Sequence, residues 1–209
     1  MTFITVYSDY VCPYCLLAEQ ALSDAIGNRG IRINWRAFEL RPDPVPTLRP
    51  EDSYLPTIWH KSIYPLAERL GVPIRLPSIS PQPRTAKAFE LLAMAQDKGL
   101  DHEYSMRVLR AFFQEDRDIG NPEILIELAA DAGLDSNEAR QALESGAYAE
   151  RHREALRHAR EDMAITSVPT IVIGKQVFRG TPPLEELRQA IDKFEGDAGN
   201  ESSPPSQRV

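Results

Sequence analysis

The alternation of apolar and polar positions divides the chain into a strand-rich start, a long helical middle and a strand-rich end. Phe3-Ile4-Thr5-Val6-Tyr7 is short, β-branched and aromatic, the pattern of a strand buried on both faces. Ser8-Asp9-Tyr10-Val11 turns out of it, and a helix is expected from Cys12 to about Ile26. Pro13 suits the start of that helix, because the N–H it lacks would have no partner in the first turn. Asn28-Arg29-Gly30 ends the helix, and Ile31 to Leu40 reads as a second strand. A strand, a helix and a second strand parallel to the first make a βαβ unit.

From Arg41 to about Pro83 the chain is rich in proline and short on periodicity, predicting an irregular crossing with one helix, roughly Ile58 to Leu70. Apolar residues then recur three or four apart over Thr85 to Gly99, Asp101 to Asp116, Asn121 to Ala132, Asp135 to Ser145 and Tyr148 to Met163. Gly99, Gly133 and Gly146 act as C-terminal stops, and Asn121-Pro122 as an N-terminal start. Five helices cannot all lie on one small sheet, so the block reads as an all-helical insertion packed over the sheet domain. Strands return with Thr170 to Ile173 and Gln176 to Phe178, joined by the two-residue turn Gly174-Lys175 as a β-hairpin. Pro182 to Phe194 supplies a last helix, and the polar stretch Gly196 to Val209 is expected to be disordered. The expected division is an α/β sheet domain from residues 1–60 and 165–195, an inserted helical domain at 61–164, and a tail at 196–209.

Composition narrows the partners. The 209 residues carry 31 acidic against 24 basic side chains, a net charge of −7 that works against phosphate backbones and anionic lipid surfaces. Basic residues are interspersed with acids, as in Arg151-His152-Arg153-Glu154, which reads as a solvated helix face. No apolar run approaches the about eighteen residues of a membrane span, and the N-terminus lacks the basic flank and cleavage site of a secretory signal. Neither nucleic acid nor membrane is an expected partner, and the cytoplasm is the expected compartment. Oligomeric state is left open.

The candidate chemistry lies in Cys12-Pro13-Tyr14-Cys15, which holds the only two cysteines of the chain. Two thiols at the start of a helix can lose two electrons together and close a small disulfide ring. The positive field of the helix N-terminus favours the thiolate of the first. The pair could instead be half of a zinc site, but no second pair or closely spaced histidines complete four ligands, so no metal is expected. His152 and His158, six apart, fall on different helix faces and read as surface residues; His60 and His102 are isolated and take no role. Trp35 and Trp59 read as core anchors, and Asp116 and Asp118 as solvated acids at a helix end.

The order strand, Cys-x-x-Cys helix, strand, helical insertion, Val-Pro, hairpin, helix resembles the thioredoxin fold with a helical domain inserted. More narrowly it resembles the DsbA family and its cytoplasmic FrnE-type branch. The matching residues are Ser8 to Cys15, Trp35-Arg36-Ala37-Phe38-Glu39-Leu40, Phe112-Phe113 to Asp118-Ile119, and Ile165 to Ile173. The resemblance covers about residues 3 to 194. It implies a thiol-disulfide oxidoreductase or isomerase in which Cys12 attacks, Cys15 resolves, and Pro13 and Tyr14 complete the active-site motif. It implies also that the Val168–Pro169 bond is cis, a geometry proline holds cheaply. The loop Val168-Pro169-Thr170 would then lie beside the sulfurs, with Val168 backbone groups open to an extended substrate. Tyr14 is expected to give a couple less oxidising than the strongest periplasmic oxidants, at about −120 mV. The implied partners are protein or small-molecule thiols and disulfides; no bound cofactor is expected, with glutathione a candidate redox partner.

Two departures stand out. Thioredoxin and the periplasmic DsbA proteins carry a buried acid six residues before the first cysteine, where this chain has Val6; the nearest acid is Asp9. Arg179 makes the hairpin exit more basic than the family pattern and is read as solvated. The alternative reading is a glutathione-dependent isomerase or transferase of the kappa-class or hydroxychromene-carboxylate isomerase type, whose members usually hold serine at the first motif position. A third is a binding module that kept the fold without turnover.

Overall fold

The computed structural model describes residues 2–201. Strand β1 (Thr2–Ser8) feeds helix α1 (Pro13–Ile26), and strand β2 (Ile31–Ala37) returns parallel to β1, in register from Thr2↔Ile31 to Ser8↔Ala37. The expected βαβ unit is therefore present. Helix α1 stops at Gly27, whose φ of +56° lets its N–H reach back to the Ser23 carbonyl. One strand reading needs correcting. Ile4 and Val6 point into the core with α1, but Phe3 on the opposite face is exposed, so β1 is not buried on both faces along its length.

The proline-rich crossing holds α2 (Tyr54–Ile58), a π turn (Trp59–Ile63) and α3 (Tyr64–Leu70). This helical segment starts four residues before the expected Ile58. The reason is a buried stripe at four-residue spacing, Leu55, Trp59, Ile63 and Ala67, that begins ahead of it. Helices α4 (Ala86–Lys98), α5 (Asp101–Phe113), α6 (Pro122–Asp131), α7 (Ser136–Ser145) and α8 (Ala149–Arg157) follow, and α8 runs on into a π turn, His158–Asp162. Helix α5 stops short of Asp116, which takes φ +60°. Asp116 is not merely solvated: its carboxylate accepts from the Ser78 N–H (2.7 Å) and hydroxyl (2.6 Å), tying the crossing to the end of α5. Trp35 and Trp59 are both core residues, and Phe89, Leu91 and Phe112 of the helical segment belong to the same buried cluster as Ile4, Leu17 and Trp35.

Strands β3 (Thr170–Ile173) and β4 (Gln176–Arg179) form the hairpin and complete a sheet of order β2-β1-β3-β4, with β3 antiparallel to both neighbours. Gly174 makes the turn with φ +58°, and a Cβ there would lie 2.9 Å from Phe194, so both backbone and space require glycine. Helix α9 (Leu184–Glu201) covers the sheet with Leu187, Ala190 and Ile191. It passes the expected end at Phe194 and includes 196–201 of the expected tail; residues 202–209 lie outside the described residues. Propagating an anchored helix is far easier than starting one, so a polar extension without apolar periodicity still adds turns. Among the described residues no helix is long and apolar enough to cross a membrane.

Candidate active site

The residues at the end of β1 and the start of α1 set the site. Cys12 is the N-cap of α1 in extended conformation, Pro13 occupies the first turn, and Cys15 follows on its inward side. The turn is closed by the Cys12 N–H on the Asp9 carbonyl and the Cys15 N–H on the Cys12 carbonyl, both 3.0 Å. Cys12 is 5% exposed and Cys15 is fully buried, and the structure describes both as free thiols. Tyr14 is partly buried against the core.

The last third of the chain supplies the opposite wall. The Val168–Pro169 peptide bond is cis, and the Cys12 thiol donates to the Val168 carbonyl at 3.5 Å. Val168 packs on a small apolar cluster of Tyr7, Phe38, Ala159 and Ile165. Around it, the Thr170 hydroxyl donates to the Ser167 carbonyl (2.7 Å) and the Gly180 N–H donates to the Pro169 carbonyl (2.8 Å). The Val168 N–H has no hydrogen-bond partner among the described residues. Cys12, Cys15, Val168, Pro169 and Thr170, read from two distant stretches, thus meet in one place. Arg179 is exposed on β4.

Burial governs the electrostatics. It pushes the Cys15 thiol well above its ordinary range, and the Cys12 thiol adds to this; the Ser8 hydroxyl and Asp9 backbone N–H act the other way. Ser8 and Asp9 are both buried beneath the motif. Asp9 accepts the Leu40 N–H at 2.7 Å through Oδ2, while Oδ1 has no partner among the described residues. Its carboxyl is pushed up to about 6, first by burial, with the Leu40 N–H and then the Thr85 hydroxyl opposing and the nearby Glu39 charge adding.

A polar pair that the sequence hides lies alongside. Glu39 and His152 are both buried, with His152 Nε2 2.7 Å from Glu39 Oε1, and Arg160 donates to the Glu39 carbonyl at 2.9 Å. His152 is therefore not a surface residue. Its ring stacks on Phe89, which stacks on Tyr10, and the Tyr10 hydroxyl bonds Ser105 at 3.1 Å. The flanking Arg151, Arg153 and Glu154 are polar, so no apolar spacing marks His152 as inward. The one signal is Glu39, an acid set between Phe38 and Leu40 just past the end of β2. His158 is exposed beside Asp162, His60 is exposed, and His102 accepts from the Trp35 indole N–H at 3.2 Å.

A sheet of this order with a dithiol at the N-terminus of its first helix, facing a cis-proline loop, defines a protein of thioredoxin fold. Residues 3–192 match the DSBA-like thioredoxin domain family, and the chain belongs to that family, with the helices from 86 to 157 inserted in the fold. YwbO, an uncharacterized protein of Bacillus subtilis (strain 168), is 44% identical over 189 residues, 90% of this chain and 94% of YwbO. Among solved structures, the probable DsbA oxidoreductase SCO1869 from Streptomyces coelicolor superposes with a TM-score of 0.76 at 24% identity, covering 100% of this chain and 94% of that one. A 2-hydroxychromene-2-carboxylate isomerase gives 0.75 at 20%, over 97% and 100% of the two chains. The cytosolic disulfide reductase DsbM from Pseudomonas aeruginosa, solved with GSH, gives 0.65 at 18%, over 96% and 98%. At these identities the structural likeness speaks to the fold.

Proposed function

We propose that the chain is a thiol-disulfide oxidoreductase of the cytoplasmic FrnE-type branch, working by exchange through Cys12 and Cys15 with glutathione as a redox partner. The observation that carries the reading is the juxtaposition of the Cys12 Sγ, at the N-terminus of α1, with the Val168 carbonyl at 3.5 Å. In the reductive direction the Cys12 thiolate attacks a substrate disulfide, one substrate sulfur leaves as a thiol, and a mixed disulfide remains. Cys15 then attacks Cys12 Sγ, forming the Cys12–Cys15 disulfide and releasing the second substrate sulfur; oxidation runs the same steps backward. The unpartnered Val168 N–H, with its carbonyl, offers a backbone edge to an extended substrate. Burial of Cys15 suits a group that meets only the Cys12 sulfur. Glutathione is supported by the DsbM likeness, and the branch by the Trp35-to-Leu40 segment, whose Glu39 is tied to α8.

Two variants test the reading. Mixed with glutathione disulfide, Cys15→Ser should accumulate one glutathione on Cys12, read by mass spectrometry, whereas wild type should pass on to the internal disulfide. Cys12→Ser should abolish reduction of glutathione disulfide and of insulin. Full reduction by Cys12→Ser would overturn the reading. An isomerase using bound glutathione would instead keep its activity in Cys15→Ser.

A further inference from the structure

The resolving step poses a physical problem. Cys15 must become a thiolate to attack Cys12, yet it is fully buried and burial opposes the charge. The strand beneath supplies no acid to help: position 6 is valine, buried in the core. Cys12, on the same turn, acts against the thiolate, and the one backbone donor that favours it is the Asp9 N–H. Asp9 directs a carboxylate oxygen to the Leu40 N–H, and the Tyr10 hydroxyl is committed to Ser105.

Ser8 is different. It is the last residue of β1, 1% exposed, and its Oγ has no hydrogen-bond partner among the described residues. Its carbonyl is taken by the Phe38 N–H at 3.0 Å, which fixes the backbone and leaves only the hydroxyl to rotate. Ser8 directly precedes Asp9, whose carbonyl takes the Cys12 N–H, so the buried hydroxyl belongs to the turn that carries the motif, and it is the side-chain donor that favours the charged form of Cys15. A buried hydroxyl without a partner costs stability, so its retention beside a thiol that must ionise points to a use.

We propose that Ser8 is the positioning residue of the resolving step, its hydroxyl turning to donate to Cys15 Sγ as that sulfur becomes a thiolate. The inference rests on the exchange reading above. In the step itself the Cys15 sulfur forms a bond to Cys12 Sγ, the bond from Cys12 to the substrate sulfur breaks, and the departing sulfur takes the electron pair. The proton lost by Cys15 balances the one gained by the leaving thiol. Ser8 keeps its own proton throughout, so it serves either direction of exchange. A donor to a charged sulfur in a dry site is among the stronger hydrogen bonds.

The experiment separates the two steps with glutathione disulfide as the probe, quenching with acid and resolving species by mass spectrometry. In Ser8→Ala the mixed disulfide on Cys12 should form within about twofold of the wild-type rate, but its conversion to the Cys12–Cys15 disulfide should slow by about tenfold. Ser8→Thr, which keeps the hydroxyl, should recover most of that loss, and Ser8→Gly should repeat the Ala result. As a readout that a merely structural role would not move, the Cys15 thiol is titrated alone in Cys12→Ser by thiolate absorbance. Adding Ser8→Ala should raise its midpoint by about one pH unit, equivalent to that tenfold. An unchanged resolution rate together with an unchanged midpoint would overturn the proposal. Failure of wild type to form any mixed disulfide would overturn the exchange reading instead.

Discussion

At the scale of single residues the site is a contest between burial and charge. Asp9 shows the consequence most simply, since its carboxyl is fully buried and raised from 3.8 to about 6. A raised carboxyl binds its proton more tightly in the folded than in the unfolded chain. Between pH about 4 and about 6 the folded state therefore holds a proton that the unfolded state has released, and stability falls as pH rises through that window. Above it the full cost applies, on the order of 3 kcal/mol. Asp9→Asn can keep the bond from the Leu40 N–H and removes the charge. It should therefore unfold at higher urea than wild type at pH 7, with that advantage gone near pH 4; an equal difference at both would show that the charge is not the cause. Cys12, Cys15 and the Val168-Pro169 pair were legible as motifs, and the fold brings Cys12 against the Val168 carbonyl. Asp9 was legible only as the nearest acid, because a sequence shows neither burial nor an unpartnered oxygen.

At the scale of elements, patterning located most boundaries within a few residues, since apolar periodicity reports the face that each helix buries. It failed where burial is polar. The α8 run Arg151-His152-Arg153-Glu154 reads as solvated, yet His152 pairs with Glu39 inside the core and joins α8 to the end of β2. Removing one partner of a buried pair leaves the other desolvated and unsatisfied. His152→Ala is expected to cost roughly 3–5 kcal/mol in urea unfolding, and Glu39→Gln in the same chain should recover a large part of it. A His152→Ala loss below 1 kcal/mol would show that the pair does not hold the two elements together. Helix α9 erred the other way: its polar end carries no periodic signal, and the helix continues because its base is anchored on the sheet.

At the scale of the whole molecule the fold brings together residues 156 positions apart in sequence, Cys12 and Val168, from opposite ends of the chain. The βαβ unit and the hairpin were readable locally; the antiparallel pairing of β1 with β3 that joins them comes from the structure. That the helical block packs over the sheet was expected; the contact that does it next to the motif was not readable, Tyr10 stacking on Phe89 of α4. The central claim is that Cys12 and Cys15 act as one two-electron couple. It is tested most directly by equilibrating the full chain with graded ratios of reduced and oxidised glutathione, trapping free thiols and counting them by mass spectrometry. The account predicts a single transition from two free thiols to one internal Cys12–Cys15 disulfide, absent in Cys12→Ser. Two free thiols persisting in the most oxidising mixture would contradict it.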